Sequence, residues 1–327
     1  MSTVPTIASA PGKLFLTGEY VVLGGARALV LAVDRRARVE VRLTGGPLIV
    51  DSVVDGTSEE IGDALTGELP GGDARAVAAA VRSVGLGHLG GRVHVDSGDF
   101  LAGGRKLGLG RSAAALVAAA AAFLSARGVF TPARTFDAAL AGHALLQNGL
   151  GSGGDVAAAV HGGLVEVRRR GRELGVAARE MPAGLHVVVG WSGESAATAP
   201  LLSRFVATRE HGAATLSQLG SEAERAAAAV ARGDADELLA ATDVSGRLLE
   251  RLGHDLDLPI VTPALARLLA TARRLGAAVK PSGAGGGDCG VALVGSPAAA
   301  AALRDAWRAD GIEPLPLALA TSGVTLG

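Results

Sequence analysis

The sequence predicts an α+β protein of two domains, and three observations carry that expectation. The chain has 327 residues, which suits two domains of ordinary size. Strand-like and helix-like segments mix along it without strict alternation, which argues against a doubly wound sheet. Hydrophobic residues make up 49% but aromatics only 3%, so the core is to be built from Ala, Val and Leu.

Residues 8–44 read as strands. Lys13-Leu-Phe-Leu is apolar and runs out at Gly18, and Ala28–Val33 and Arg38–Leu43 follow, the latter alternating as a half-buried strand does. Residues 45–73 are polar and Gly-rich, read as loops with a short strand at Leu48–Val54. Ala74–Val84 reads as a helix and Gly91–Val95 as a strand. A Gly-rich loop at 103–110 opens into an Ala-rich helix at 112–126. A helix at 134–147 leads to a second Gly-rich loop at 149–154, then helix again at Val156–Val160 and a strand at Gly163–Val167. The polar stretch 168–184 marks the domain boundary, giving domains 1–183 and 184–327. Leu185–Gly190 reads as a buried strand. Helices are expected near 200–231, 234–252 and 262–275, then a third Gly-rich loop at 282–287. A strand at Gly290–Val294, a helix at 297–310 and a short strand near 316–321 finish the chain.

Acidic and basic residues nearly cancel, 32 against 31, leaving no broad basic surface for nucleic acid. The single cysteine, Cys289, excludes a disulfide framework and a cysteine-ligated zinc site. The N-terminus lacks the pattern of a secretory signal. The longest apolar run, Ala113–Leu124, falls short of the roughly 18–20 residues a membrane span needs. A soluble, cytoplasmic protein without membrane contact is expected. Only three of the 31 basic residues are lysine, and Lys13, Lys106 and Lys280 all fall in or beside glycine-rich segments.

The Walker pattern is absent, and the Gly85-Gly87-Gly90 spacing follows a helix rather than a strand, so it reads as a turn. Lys106-Leu-Gly108-Leu-Gly110-Arg-Ser112 differs, because it passes from glycines straight into a strong helix. Unpaired N–H groups and the helix dipole would make an anion site there. The plainer reading is a loop with Ser112 as N-cap. Gly149-Leu-Gly151-Ser152-Gly-Gly-Asp155 also runs from glycines into helix, and Asp155 reads equally as a cap or first-turn acid. Lys280 to Gly290 holds five glycines in eleven residues, which suggests close packing against a ligand or another loop. Cys289 reads as a small buried residue, and His143 and Gln147, at i and i+4, as packing or capping residues.

Together these segments resemble the GHMP small-molecule kinase superfamily. Its first motif matches Ala10-Pro11-Gly12-Lys13-Leu-Phe-Leu-Thr17-Gly18-Glu19-Tyr20, its phosphate loop Gly108-Leu109-Gly110-Arg111-Ser112-Ala113-Ala114, and its third motif Lys280 to Asp288. Within the superfamily the chain is most similar to the phosphomevalonate kinases of bacterial type. Gly18-Glu19-Tyr20, Asp99-Phe100 with Lys106, Gly151-Ser152-Gly153-Gly154-Asp155, and Val189 to Gly193 leading to Thr198 carry that choice. One departure stands out: Arg111 occupies the first serine of the family's Gly-Ser-Ser.

The resemblance implies a two-domain GHMP fold, with an N-terminal ATP-binding domain of mixed α/β structure and a C-terminal ferredoxin-like sandwich. It implies transfer of the ATP γ-phosphoryl to 5-phosphomevalonate, with ATP and Mg2+ as cofactors, in a monomer or homodimer. Gly108, Leu109, Gly110, Arg111, Ser112, Ala113 and Ala114 would hold the nucleotide, with the Ser112 hydroxyl near magnesium. Lys13 and Lys106 would neutralise charge between the two phosphates. Asp155 would orient Lys13 or a magnesium water, or act as a base, and Glu19 would steady Lys13. Tyr20, Ser152, Gly153, Ser192, Thr198, Ser282, Gly283, Ala284 and Gly285 would line the acceptor side. Arg111 would contact phosphate, point outward or crowd the metal. Mevalonate kinase, homoserine kinase and a non-catalytic ligand-binding member remain the alternatives.

Overall fold

A computed structural model of the chain describes residues 5–44, 46–62, 67–86, 89–171, 173–196 and 198–327, with Thr198 described by its backbone alone. Gly87 of the Gly85-Gly87-Gly90 spacing lies outside them; Gly85 ends a helix in the left-handed conformation.

The first layer is built on β1 (Thr6–Thr17) and β2 (Arg27–Leu43), a long antiparallel pair. Where the sequence suggested two strands, β2 is continuous. The register shifts between Pro11 and Gly12, which pair with Arg36 and Val33, so Asp34 and Arg35 bulge from the ladder. That polar interruption is what made one strand read as two. Next come β3 (Leu48–Ser52), β4 (Thr57–Glu60), α1 (Gly72–Val84) and β5 (Gly91–Asp96), with β3 parallel to β5 and antiparallel to β4. A short hairpin, β6 (Leu101–Ala102) and β7 (Arg105–Lys106), precedes α2 (Arg111–Ala126). Helices α3 (Pro132–Leu146) and α4 (Gly154–His161) follow. Then β8 (Leu164–Arg170) and β9 (Glu173–Arg179) form a hairpin against β2, so much of the expected linker at 168–184 is strand. Every residue of α2 from Ala113 to Leu124 is buried, as the alanine-rich core required.

The second layer runs β10 (His186–Trp191), α5 (Thr198–Thr208), α6 (Ala213–Arg232), α7 (Ala235–Asp255), α8 (Pro263–Arg274), β11 (Ala278–Pro281), β12 (Cys289–Val294), α9 (Pro297–Ala309) and β13 (Glu313–Leu315). Its sheet is antiparallel throughout, in the order β11-β12-β10-β13. That order is the split βαβ arrangement expected of a ferredoxin-like sandwich. The helix expected near 200–231 divides into α5 and α6 at a 3-10 turn ending at Gly212, where an added Cβ would lie 2.8 Å from Leu252. The tail then crosses back: β14 (Thr325–Leu326) pairs with β1, and Gly163 donates to the Ala320 carbonyl at 2.7 Å. The short strand expected near 316–321 is reduced to a single bridge between Val33 and Leu319. Among the described residues no helix is long and apolar enough to cross a membrane.

Two kinds of helix start bear on the site. Thr131, Asp234, Thr262 and Ser296 cap α3, α7, α8 and α9 by accepting a first-turn N–H through their side chains. By contrast, α2 and α4 begin at Gly110 and Gly153, with φ of 82° and 79° and no side-chain cap. The first-turn N–H groups of α2 are therefore not consumed by a capping side chain, whereas in α4 the Gly154 N–H donates to Ser152 Oγ at 3.2 Å and the Val156 N–H to Asp155 Oδ1 at 2.9 Å. Ser112, expected as a cap, instead stands one residue inside α2.

Candidate active site

A cavity of about 480 Å³ opens where the two layers meet, a size that suits small-molecule ligands. Lys13, Lys106, the loop from Gly108 to Ser112, Ser152, Asp155 and the loop from Ser282 to Gly285 all line it. Glycine makes the convergence possible. A Cβ on Gly12 would lie 2.5 Å from the Leu109 carbonyl oxygen and 2.7 Å from the Phe100 ring. Without one, the 108–110 loop rests directly on β1, and the Lys13 N–H donates to the Leu109 carbonyl at 2.8 Å. The Lys13 stem passes beneath Gly110, where a Cβ would meet its Cγ at 2.9 Å, and its Nζ donates to the Gly108 carbonyl at 3.3 Å.

Asp155 sits in the first turn of α4 with both carboxylate oxygens engaged. Oδ1 accepts the Val156 N–H at 2.9 Å, and Oδ2 lies 3.1 Å from Nε2 of the buried His143. Burial pushes the carboxyl up, but the His143 charge and hydrogen bond, the Lys13 charge and the Val156 N–H outweigh it and hold it at about 2. His143, read from the sequence as a packing or capping residue, is thus the neighbour of the site's carboxylate. Its i, i+4 spacing with Gln147, which also lines the cavity, was the available signal.

Arg111 does not reach outward. Its Nη2 donates to Asp73 at 2.8 Å and to Asp55 at 3.1 Å, and its Nε to Ser97 at 2.8 Å. Asp73 is 2% exposed and also accepts from Ser52 and Ser97 at 3.1 and 2.8 Å. Two carboxylates engage the guanidinium through Nε and Nη2 and tie the start of α2 to the start of α1, while Arg111 also lines the cavity. The adjacent Ser112 is exposed and lines the cavity.

Several expected acceptor-side groups line the cavity and also join the two layers. Glu19 pairs with Lys280 rather than steadying Lys13: both are buried, and Lys280 also donates to the Pro281 carbonyl at 2.7 Å. Desolvation pushes the Lys280 ammonium below its ordinary range, with Glu19 opposing it. The Tyr20 hydroxyl donates to the Ala284 carbonyl while its ring packs 4.6 Å from Phe205, and burial pushes its phenol above its ordinary range. The Ser282 hydroxyl accepts from the Phe15 N–H at 3.0 Å and donates to the Phe15 carbonyl. Their side-chain oxygens are committed to the protein, so these residues shape the wall more than they offer free groups.

Lys106 is exposed on the β6–β7 hairpin. Arg105 braces that hairpin by stacking 4.9 Å from the Trp191 ring and donating to the Gly193 carbonyl at 2.9 Å. Ser192 stays off the cavity wall, its hydroxyl accepting the Glu194 N–H at 3.2 Å. Ala113, Ala114 and Gly153 lie behind the wall: the two alanines are core, and a Cβ on Gly153 would meet Leu140 and Leu174. Thr198 opens α5, but its side chain lies outside the described residues. Asp288, not singled out in advance, also faces the cavity. Burial raises its carboxyl, the Ala196 N–H donates to it at 3.1 Å, and a Cβ on Gly108 would strike it at 2.3 Å. Cys289 is buried, its thiol donates to the Leu107 carbonyl, and desolvation pushes it far above its ordinary range, as an inert core thiol requires.

Comparison with known proteins is consistent with this geometry. The family model described as GHMP kinases C terminal matches residues 226–313. The chain is 34% identical to phosphomevalonate kinase of Streptomyces sp. (strain CL190), over 96% of this chain and 97% of that protein. It is 31% identical to mevalonate kinase of Aeropyrum pernix, over 88% and 87%. Its fold superposes on Streptococcus pneumoniae phosphomevalonate kinase, solved in complex with phosphomevalonate and AMPPNP, with a TM-score of 0.80, 22% identity and coverage of 96% and 99%. For the Lin0012 protein of Listeria innocua the TM-score is 0.86, with 24% identity and 99% of each chain covered.

Proposed function

Because the chain belongs to the GHMP kinase family, we propose that it transfers the γ-phosphoryl of ATP to the 5-phosphate of phosphomevalonate, giving diphosphomevalonate and ADP. The nucleotide phosphates would lie against the first turn of α2, whose start carries no capping side chain. Lys13 and Lys106, from separate segments, face the same cavity and would offset the charge gathered between donor and acceptor phosphates. An acceptor phosphate oxygen bonds to the γ-phosphorus as the bond to the β–γ bridging oxygen breaks, and ADP leaves with that electron pair.

The observation that carries the choice of acceptor is the likeness to phosphomevalonate kinase, 34% identical over 96% of this chain, and the state of Asp155 accords with it. Both its oxygens are occupied and its carboxyl is held at about 2. Such a group is a poor proton acceptor at neutral pH. An alcohol acceptor gains from a base, whereas a phosphate with its second pKa near about 6 is already mostly ionised. Asp155 therefore acts as a fixed negative charge beside Lys13, and the site suits a phosphate nucleophile.

Among the described residues no three His, Cys, Asp or Glu side chains converge as a metal cage. Magnesium takes few protein ligands and draws the rest from substrate phosphates and water. The Ser112 hydroxyl, and Asp155 through water, are the groups that would hold it. When bound, it supplies charge neutralisation at the β- and γ-phosphates.

A coupled ADP-release assay over phosphomevalonate, mevalonate and homoserine tests the reading. Turnover with phosphomevalonate at least a hundredfold above the others supports it; preference for an alcohol overturns it.

A further inference from the structure

We infer that His143 is a positioning residue for phosphoryl transfer, holding the Asp155 carboxylate in the one orientation that sets its charge beside Lys13. The inference rests on the kinase reading above and deepens it. Three observations carry it.

First, the ring is built into place. His143 is 5% exposed on α3, and its Nε2 lies 3.1 Å from Oδ2 of Asp155, across the turn that joins α3 to α4. Second, that turn is shaped around the ring. A Cβ on Gly151 would lie 2.2 Å from Cε1 and 2.8 Å from Nδ1 of His143. Gly151 does not have positive φ, so backbone conformation does not demand glycine there. The demand is the space the imidazole occupies. Third, the carboxylate is held at both ends, by Nε2 of His143 on Oδ2 and by the Val156 N–H on Oδ1. With both oxygens engaged, the carboxylate is restrained in rotation within the cavity that Lys13 also lines. His143 borders the cavity, and the role assigned to it is exerted through Asp155.

The test uses the full-length enzyme with both substrates. His143→Leu removes the donor and should lower kcat about ten- to a hundredfold, the scale of a lost hydrogen bond to a charged group. KM for ATP and for the acceptor should stay within about threefold. His143→Gln keeps an N–H donor and should recover most of the loss. Gly151→Ala leaves every polar group in place but displaces the ring, and should reproduce the fall in kcat. Thermal midpoints measured alongside separate this from simple unfolding. A kcat within twofold of wild type in His143→Leu would overturn the assignment. So would a His143→Gln variant as slow as His143→Leu at an unchanged midpoint.

One readout needs no turnover. A strongly downfield ring N–H proton resonance should appear in the wild-type spectrum and vanish in Asp155→Asn. Its absence from the wild type would sink the pairing. If no acceptor supports turnover, the kinase reading fails while this resonance still decides the His143–Asp155 contact.

Discussion

Lys280 and Glu19 form a buried ion pair that pins the second sheet to the segment leaving β1. Glu19 also accepts the Gly283 N–H at 3.3 Å, so one carboxylate organises both the lysine and the glycine loop that follows it. Removing one partner of a buried pair strands the other charge, at a cost of about 3–5 kcal/mol. Lys280→Met should lower unfolding stability by that order in a denaturant titration. Adding Glu19→Gln should restore more than half, because no uncompensated charge then remains. Equal losses in single and double variants would show that the pair is not the source.

Arg111→Ser would restore the residue the family carries, yet it should damage this protein. The change leaves Asp73, 2% exposed, facing Asp55 without its cation. We expect a loss of about 3 kcal/mol, the low end for a broken buried pair because Asp55 is partly exposed. KM for ATP should rise, since the start of α2 loses its tie to α1. Adding Asp73→Asn should recover part of the stability. Unchanged stability and KM in Arg111→Ser would show the network to be idle.

Lys13→Met should cut kcat by about a hundredfold or more while the thermal midpoint stays near wild type. The amine faces the cavity and its removal takes charge from the transferring group. Near-normal turnover would remove Lys13 from the chemistry.

Acid stability should report on Asp155. Its folded carboxyl is held at about 2, against an ordinary value of 3.8. Between those values the unfolded chain takes up the proton more readily, so stability falls as pH drops through them. The contribution is whole above about pH 4–5 and gone near pH 2, and amounts to about 2 kcal/mol at 1.36 kcal/mol per unit. Unfolding of wild type and Asp155→Asn should therefore differ above pH 5 and converge toward pH 2. A gap independent of pH would refute the cause given for the depression.

What could be read in advance depended on sequence distance. Glycines running into an alanine-rich stretch announced α2, because both the turn and the helix are local matters. Leu185–Gly190 was legible as a strand for the same reason: its unbroken apolar run needs no partner to be recognised. The hairpin strand β9, Glu-Leu-Gly-Val-Ala-Ala-Arg, was not, since a central glycine and charged ends mimic a linker until β8 pairs with it. The fate of Arg111 was hidden because its carboxylates stand 38 and 56 residues earlier. Glu19 and Lys280 are 261 positions apart, so the lysine closer in sequence, Lys13, seemed the natural partner. His143 is only 12 residues from Asp155, but the turn between α3 and α4 had to be seen before the two could be placed together.

The crossing of the tail back onto β1 has a consequence for how the protein is made. Strand β14 and the residues around Ala320 come after the whole second sheet in the chain, yet they complete the first. During synthesis the outer side of β1 therefore stays unsatisfied while the rest of the second layer emerges. An unpaired strand flank is a template for wrong partners. Ser9 and Arg36, which hold Thr325 and the Gly323 carbonyl, act on a segment that arrives late, closing the molecule as a latch closes a case already packed.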